Sequence, residues 1–297
     1  MKKTLAMMTV AMMVAGALAG CGSSSSTPAA TTAAATEAAT TAAATEAATT
    51  EAAGDTTAAA EGTVKTPSGK FTVGFDQEFP PMGFVGDDGE FTGFDLDLAK
   101  EVASRLGLEF VPQPINWDAK DMELDSGNID CIWNGFTMQG REDAYTWVGP
   151  YMANNQVFVV NADSDIASKA DLAGKAVEVQ KDSSGLAALQ SETELSASFG
   201  SMTEVADYNT ALMDLESGAC DAVCMDSIVA GYQIKSSGKD MKILDDTLSA
   251  EEYGIGFKKG EDELAKAVYD TLMEMKDDGT VAKISNDWFG SDVFTLK

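Results

Sequence analysis

From Phe71 to its last residue the chain alternates strand and helix signals twice over, and that alternation removes all-α and all-β folds from consideration. Phe71-Thr-Val-Gly-Phe75 places apolar residues at every second position, as a strand does. Asp95 is placed to cap a helix in which Leu98, Val102 and Leu106 repeat, and Gly107 stops it. Leu108–Val111 reads as a strand, Trp117–Leu124 as a helix ended by Ser126-Gly127, and Ile129–Trp133 as a strand followed by a loop from Asn134 to Gly140. The pattern then repeats. Strands are expected at Val157–Val160, Ala176–Val179, Asp221–Met225 and Ile255–Phe257, with a polar stretch over Asn161–Gly174 and a loop over Gln180–Gly185. Helices are expected at Asn209–Ser217, Ile228–Lys235, Glu261–Lys276 and Val281–Trp288. Two such groups imply an α/β protein of two lobes, with helices covering mainly parallel sheets. Ligands of such sheets sit beyond the carboxyl ends of the strands.

The first 66 residues obey other rules. Lys2 and Lys3 precede an apolar run, Leu5–Ala19, with the length of a signal core and too short to span a bilayer. It ends in Leu18-Ala19-Gly20-Cys21, which resembles the lipobox of bacterial lipoproteins. That resemblance implies cleavage after residue 20, lipidation of Cys21 by a diacylglycerol and a palmitate-type acyl chain, and anchoring to the outer face of the cell membrane. The other reading is an ordinary signal peptide with a chance cysteine. Residues 22–66 after it are mostly Ser, Thr, Ala and Glu, and TAAATEAAT occurs at Thr32–Thr40 and again at Thr41–Thr49. Little here is apolar enough to offset chain entropy, so a tether is expected, with transient helix as the lesser alternative. The expected layout is a signal peptide over 1–20, the lipidated Cys and tether over 21–66, and one binding domain over 67–297.

Composition narrows the chemistry. A net charge of −28 argues against nucleic acid as a partner. The chain has no His, which removes Ser-His-Asp and Cys-His catalysis as normally built. Cys131, Cys220 and Cys224 lie in apolar runs and read as small buried hydrophobes. An odd set without His frames neither disulfides nor a zinc site, so no metal, cofactor or catalytic residue is expected.

Several polar and aromatic residues fall just beyond strand ends. Arg141 follows Gly135-Phe136-Thr137, whose backbone and hydroxyl suit a carboxylate held bidentately by a guanidinium. Its alternative is a surface pairing with Glu142 or Asp143. Arg105 falls on the polar face of its helix. Asp226 could hold an ammonium or cap the helix from Ile228. Ser183 and Ser184 could donate to a carboxylate or cap a helix. Asp76, Phe79 and Trp117 also follow strands, although isolated aromatics are more often core.

Longer motifs carry a family resemblance. Gly93-Phe-Asp-Leu-Asp-Leu-Ala-Lys-Glu-Val102, Ser126-Gly-Asn-Ile-Asp130, Asp171-Leu-Ala-Gly-Lys175, Asp278-Gly-Thr-Val-Ala-Lys-Ile-Ser285 and Trp288-Phe-Gly290 together resemble the amino-acid-binding family of periplasmic solute-binding proteins, family 3. The resemblance implies a two-lobed, type II periplasmic-binding-protein fold with a two-segment hinge. Lobe 1 would be about 70–156 plus 258–297 and lobe 2 about 157–257, with crossings near Asn154–Val159 and Glu252–Phe257. It implies that Arg141, Thr137, the backbone of Gly135 and Ser184 take a ligand carboxylate. Asp226 would take the ammonium, Phe79 and Trp117 would sandwich the side chain, and Asp76 would touch the amine or side chain. The loop is one residue shorter than the family pattern, with only Met138, Gln139 and Gly140 between Thr137 and Arg141. The implied function is capture of a free polar L-amino acid by a monomer that delivers it to the membrane permease of an ABC importer. Asp76 and Glu78 favour a cationic side chain, while Asn134 favours a neutral polar one. The rival is an enzyme on the same fold, dehydratase-like, acting on a small amino or keto acid; it would need an Asp or Glu acid–base group beyond the amino-acid clamp.

Overall fold

Glycine ends three helices where the sequence predicts a stop. Gly107, Gly127 and Gly218 all sit in the left-handed region, at φ of 69°, 74° and 77°. The computed structural model describes residue 66 and residues 68–297. The expected signal peptide, Cys21 and the tether lie outside the described residues.

In chain order the elements begin with β1 (Lys70–Phe75), β2 (Glu78–Phe79), β3 (Gly83–Val85), β4 (Phe91–Thr92), α1 (Phe94–Leu106) and β5 (Glu109–Pro114). A 3₁₀ turn over Trp117–Ala119 leads into α2 (Lys120–Ser126), β6 (Cys131–Thr137) and β7 (Tyr145–Asn161). After a 3₁₀ turn at Lys169–Leu172 come β8 (Ala176–Gln180), α3 (Ser184–Ser191), α4 (Thr193–Ser198), β9 (Ser201–Val205), α5 (Tyr208–Ser217) and β10 (Ala222–Asp226). The chain closes with α6 (Ser227–Ser237), β11 (Met241–Ile243), β12 (Ser249–Lys258), α7 (Asp262–Asp277) and α8 (Thr280–Phe289).

The two expected groups of strands are joined in one hydrogen-bonded sheet, ordered β5-β1-β6-β12-β7-β10-β8-β9, with β11 also on β7. Pairing is parallel at both flanks, in β5-β1-β6 and in β10-β8-β9. The middle is antiparallel, because β12 and β7 run against each other from Ser249↔Gln156 to Lys258↔Tyr145. The expected crossings fall inside these two strands. β2, β3 and β4 form a small separate antiparallel sheet.

The core follows the apolar periodicity. Leu98, Ala99, Val102 and Ala103 of α1 are fully buried and cluster with Phe71, Val73 and Phe75 of β1. Burying a Leu or Val fully is worth about 1.5–3 kcal/mol relative to exposure. A second cluster gathers Val177 and Val179 of β8, Cys224 of β10, and Leu186 and Leu189 of α3. Cys131, Cys220 and Cys224 are buried free thiols.

Several expectations are corrected. Asp95 does not cap α1. Gly93 precedes that helix at φ 144°, where a Cβ would lie 2.2 Å from the carbonyl oxygen of Met82, and Asp95 is buried inside the first turn. The expected loop from Asn134 is strand as far as Thr137, because its ladder with β12 continues to Thr137↔Tyr253. The strand at Val157–Val160 is the end of the much longer β7, whose earlier half is masked in sequence by the break signal Gly149-Pro150. The loop Gln180–Gly185 is cut short by α3, which begins at Ser184.

Candidate functional site

Strands β6, β8 and β10 deliver their carboxyl ends to one place. Phe79, Trp117, Gly135, Thr137, Arg141, Gln180, Ser183, Ser184 and Asp226 line one narrow cavity. Of these only Gln180 was not singled out from the sequence.

Arg141 reaches the cavity through a tight turn. Its N–H donates to the Met138 carbonyl at 3.0 Å, and Gly140 takes φ 79°. That is the third turn position, where a type II turn requires glycine. The short loop therefore keeps Arg141 beside Thr137. One terminal guanidinium nitrogen donates to the Thr137 carbonyl at 3.2 Å, the other to the Asp182 carbonyl at 3.4 Å. The guanidinium also stacks 5.1 Å from the ring centroid of Phe136. It has no carboxylate partner among the described residues, so the pairing with Glu142 or Asp143 does not form.

Hydroxyls face it from the β8 side. Thr137 Oγ1 donates to Ser184 Oγ at 3.2 Å. Ser183 serves as the N-cap of α3, accepting from the Leu186 N–H at 3.1 Å, so its capping role is realised. Gly135 stands at φ 56°, and a Cβ there would come 2.9 Å from Phe79 Cε1. Its N–H donates to Asp95 Oδ2 at 2.7 Å, so that amide is already engaged.

Asp226 ends β10 and is nearly inaccessible. Asp226 Oδ1 accepts from Asn154 Nδ2 at 2.8 Å and from the Tyr253 hydroxyl at 2.7 Å. Oδ2 accepts from the Tyr208 hydroxyl at 3.3 Å. Its side chain makes no capping bond to α6. Asn154 of β7 does that instead, accepting from the Ile228 N–H at 3.3 Å. Glu251 of β12, not marked by the sequence, completes the cluster: its Oε1 accepts from Asn154 Nδ2 at 2.6 Å and Gln156 Nε2 at 2.9 Å. Burial, and next the Glu251 charge, push the Asp226 carboxyl well above the usual range.

Two expected residues lie outside the lining. Asp76 Oδ2 accepts from Gln180 Nε2 at 2.7 Å, and burial pushes its carboxyl up to about 6. Asn134 Oδ1 accepts from the Asp76 N–H at 3.0 Å and so fixes backbone. Trp117 stands edge-on to Phe136, with the Lys120 ammonium 5.1 Å from its ring centroid, and Phe79 packs on Tyr208. Lys120, almost fully buried, pairs with Asp182 after β8. A wider cleft opens beside the cavity, with Asp76, Glu78, Asp118, Glu123, Glu204 and Asp207 against Lys181 on its walls. Among the described residues no His, Cys, Asp or Glu cluster is placed to hold a metal, and no helix is long and apolar enough to cross a membrane.

Comparison with known proteins identifies the family. The model of the bacterial extracellular solute-binding proteins, family 3, matches residues 71–291. The L-cystine-binding protein TcyJ of Escherichia coli is 33% identical over 231 residues, covering 76% of this chain and 84% of that protein. The arginine-binding extracellular protein ArtP of Bacillus subtilis is 30% identical over 241 residues, covering 78% and 92%. The crystal structure of an ABC uptake transporter substrate-binding protein from Streptococcus pneumoniae with bound histidine superposes with a TM-score of 0.74 at 34% identity, covering 77% of this chain and 96% of that one.

Proposed function

The chain belongs to the bacterial extracellular solute-binding proteins, family 3, and on that premise we propose that it captures a free polar L-amino acid and delivers it to the permease of an ABC importer. The observation that carries this reading is the cavity that holds Arg141 and Asp226 together. An amino acid presents a carboxylate and an ammonium on one carbon, so its binder needs one group of each sign at a fixed separation. Arg141, Thr137 and Ser184 supply the carboxylate end. Asp226 supplies the ammonium end, and Phe79 and Trp117 flank the space for the side chain. Gln180, lining the same cavity, holds Asp76 at its edge.

In this reading the molecule works as two lobes, about 70–156 plus 258–297 and about 157–257, hinged in β7 and β12. Arg141 and Asp226 then sit on opposite lobes, and a ligand that contacts both favours the closed state by its differential contacts. The protein acts as a monomeric binder rather than an enzyme, supported by relatives named for the amino acids that they bind. Lipidation at Cys21 and a tether up to residue 66 would keep the domain at the outer membrane face within reach of a permease. Cys21→Ser should release it into the medium; retention in washed membranes would remove the anchor from this reading.

The test is a thermal-shift screen of the protein against the standard L-amino acids and L-cystine, followed by calorimetric titration. A ligand at a hundredfold excess over its Kd stabilises the folded state by about 2.7 kcal/mol. If no amino acid shifts the transition, the reading fails.

A further inference from the structure

Asp226 and Glu251 form a buried acidic pair with no cation. Among the described residues neither makes a salt bridge, and both accept from one nitrogen, Asn154 Nδ2. The elements packed around the pair present neutral groups, among them the Ser184 hydroxyl of α3, 3.5 Å from Glu251 Oε1. Tyr208 comes from α5, Tyr253 from β12, the Cys224 thiol from β10, and Asn154 and Gln156 from β7. Arg141, which lines the cavity with Asp226 and a neighbouring groove with Glu251, bonds to the carbonyls of Thr137 and Asp182. Burial and the neighbouring charge both disfavour the ionised form of a carboxyl placed as Asp226 is.

A second observation points to what completes the pair. Gln156 is fully buried, aims its amide nitrogen at Glu251, and leaves its Oε1 without a partner. Behind the cavity wall formed by Asp226 therefore lie a second acid and an unpartnered amide oxygen. An alkylammonium carries three N–H donors and no acceptor.

We propose that Glu251 is a second ammonium-recognition residue, and that Asp226 is protonated while the site is empty and gives up that proton when the ligand's ammonium binds between the two acids. The inference rests on the amino-acid reading given above. The exchange balances: the Asp226 O–H bond breaks, N–H···O bonds from the ammonium to both acids form, and the proton passes to solvent. The acids together with their bound cation carry the same net charge as the empty, singly protonated site. The proton on Asp226 competes with the ligand, so affinity rises with pH until Asp226 is ionised in the empty protein.

The decisive experiment is calorimetric titration of the protein with L-arginine, L-glutamine and L-cystine at pH 6.5, in phosphate and in a buffer of high ionisation enthalpy. We expect the observed enthalpy to differ between buffers by the equivalent of up to one proton released per ligand. Affinity should rise with pH, by up to about tenfold per pH unit while Asp226 is protonated in the empty protein. Glu251→Gln should still bind while releasing almost no proton. Asp76, whose carboxyl also lies high, is untouched in that variant, so release that persists in Glu251→Gln overturns the assignment to the pair. Buffer-independent enthalpy and a flat pH profile in the unaltered protein overturn the exchange even if Glu251→Gln fails to fold, and leave the binding function standing. Absence of any heat or thermal shift with the full set of amino acids overturns the binding function itself.

Discussion

The carboxylate of Asp95 accepts the backbone N–H of Gly135 at 2.7 Å, so a residue in the first turn of α1 fixes the backbone at the cavity. Its other donor is the Tyr151 hydroxyl, at 2.8 Å, and its second oxygen has no partner. Burial pushes this carboxyl up to about 7. The orientation of Gly135, and with it the approach of Phe79 and Tyr253, depends on an acid that is costly to ionise.

That cost predicts a pH dependence of stability. The folded-state pKa lies above the unfolded value of 3.8, so between about 4 and 7 the folded protein binds more protons than the unfolded chain. Stability attributable to Asp95 therefore falls as pH rises through that window and levels off above it, by up to about 4 kcal/mol. Asp76 adds a smaller fall in the same direction, ending near 6. Asp95→Asn keeps an acceptor for Gly135 and should flatten the profile. Urea unfolding at pH 5 and pH 8 measures it, and an equal pH difference in both proteins would refute it.

Arg141→Ala should weaken amino-acid binding by at least about thirtyfold, or about 2 kcal/mol, because truncation leaves a desolvated carboxylate without its counter-charge. Arg141→Lys should recover little, since an ammonium cannot reproduce the two-pronged contact. Arg105→Ala should bind normally, because Arg105 is engaged far from the cavity with Glu101 and Asp278. Near-native affinity in Arg141→Ala would place the carboxylate clamp elsewhere.

Gly93→Ala should cost about 3 kcal/mol or more, or prevent folding. The added methyl would meet the Met82 carbonyl at 2.2 Å, and backbone on both sides leaves no side chain to move aside. Thermal and urea denaturation read the loss directly; a change below about 1 kcal/mol would contradict the placement of α1 against Met82.

Gln180 ties the ends of β8 and β1 together, donating to Asp76 Oδ2 at 2.7 Å and to the Ala206 carbonyl at 3.1 Å. Gln180→Ala should let the empty protein open, which small-angle scattering would report as a larger radius of gyration that returns on adding ligand. An unchanged radius would mean that the other contacts across the cleft suffice.

The strand–helix alternation and most cavity residues were legible because each rests on local chemistry. Gly107, Gly127 and Gly218 announce helix ends through conformational freedom alone, and Arg141 stands out as one of two arginines. The residues that escaped are those whose role is set by distant partners. Glu251 follows Ser249-Ala250 in a segment that reads as polar surface; only pairing with Asn154 turns it inward. Asp95 has the residue type of a cap, yet its hydrogen-bond partners lie on β6 and β7. β9 is mostly exposed at the sheet edge and carries no apolar alternation to reveal it.

The central ribbon has a mechanical consequence. β7 and β12 are paired from Ser249↔Gln156 to Lys258↔Tyr145, with one register slip between Tyr253 and Ile255. Domains joined by slack linkers swing freely, but a ribbon like this stores elastic energy when bent, as a leaf spring does. Asn154 and Glu251 face each other across that spring as register partners, and Asn154 also holds Asp226. Load carried along the ribbon therefore reaches Asp226 directly, through the one amide that it shares with Glu251.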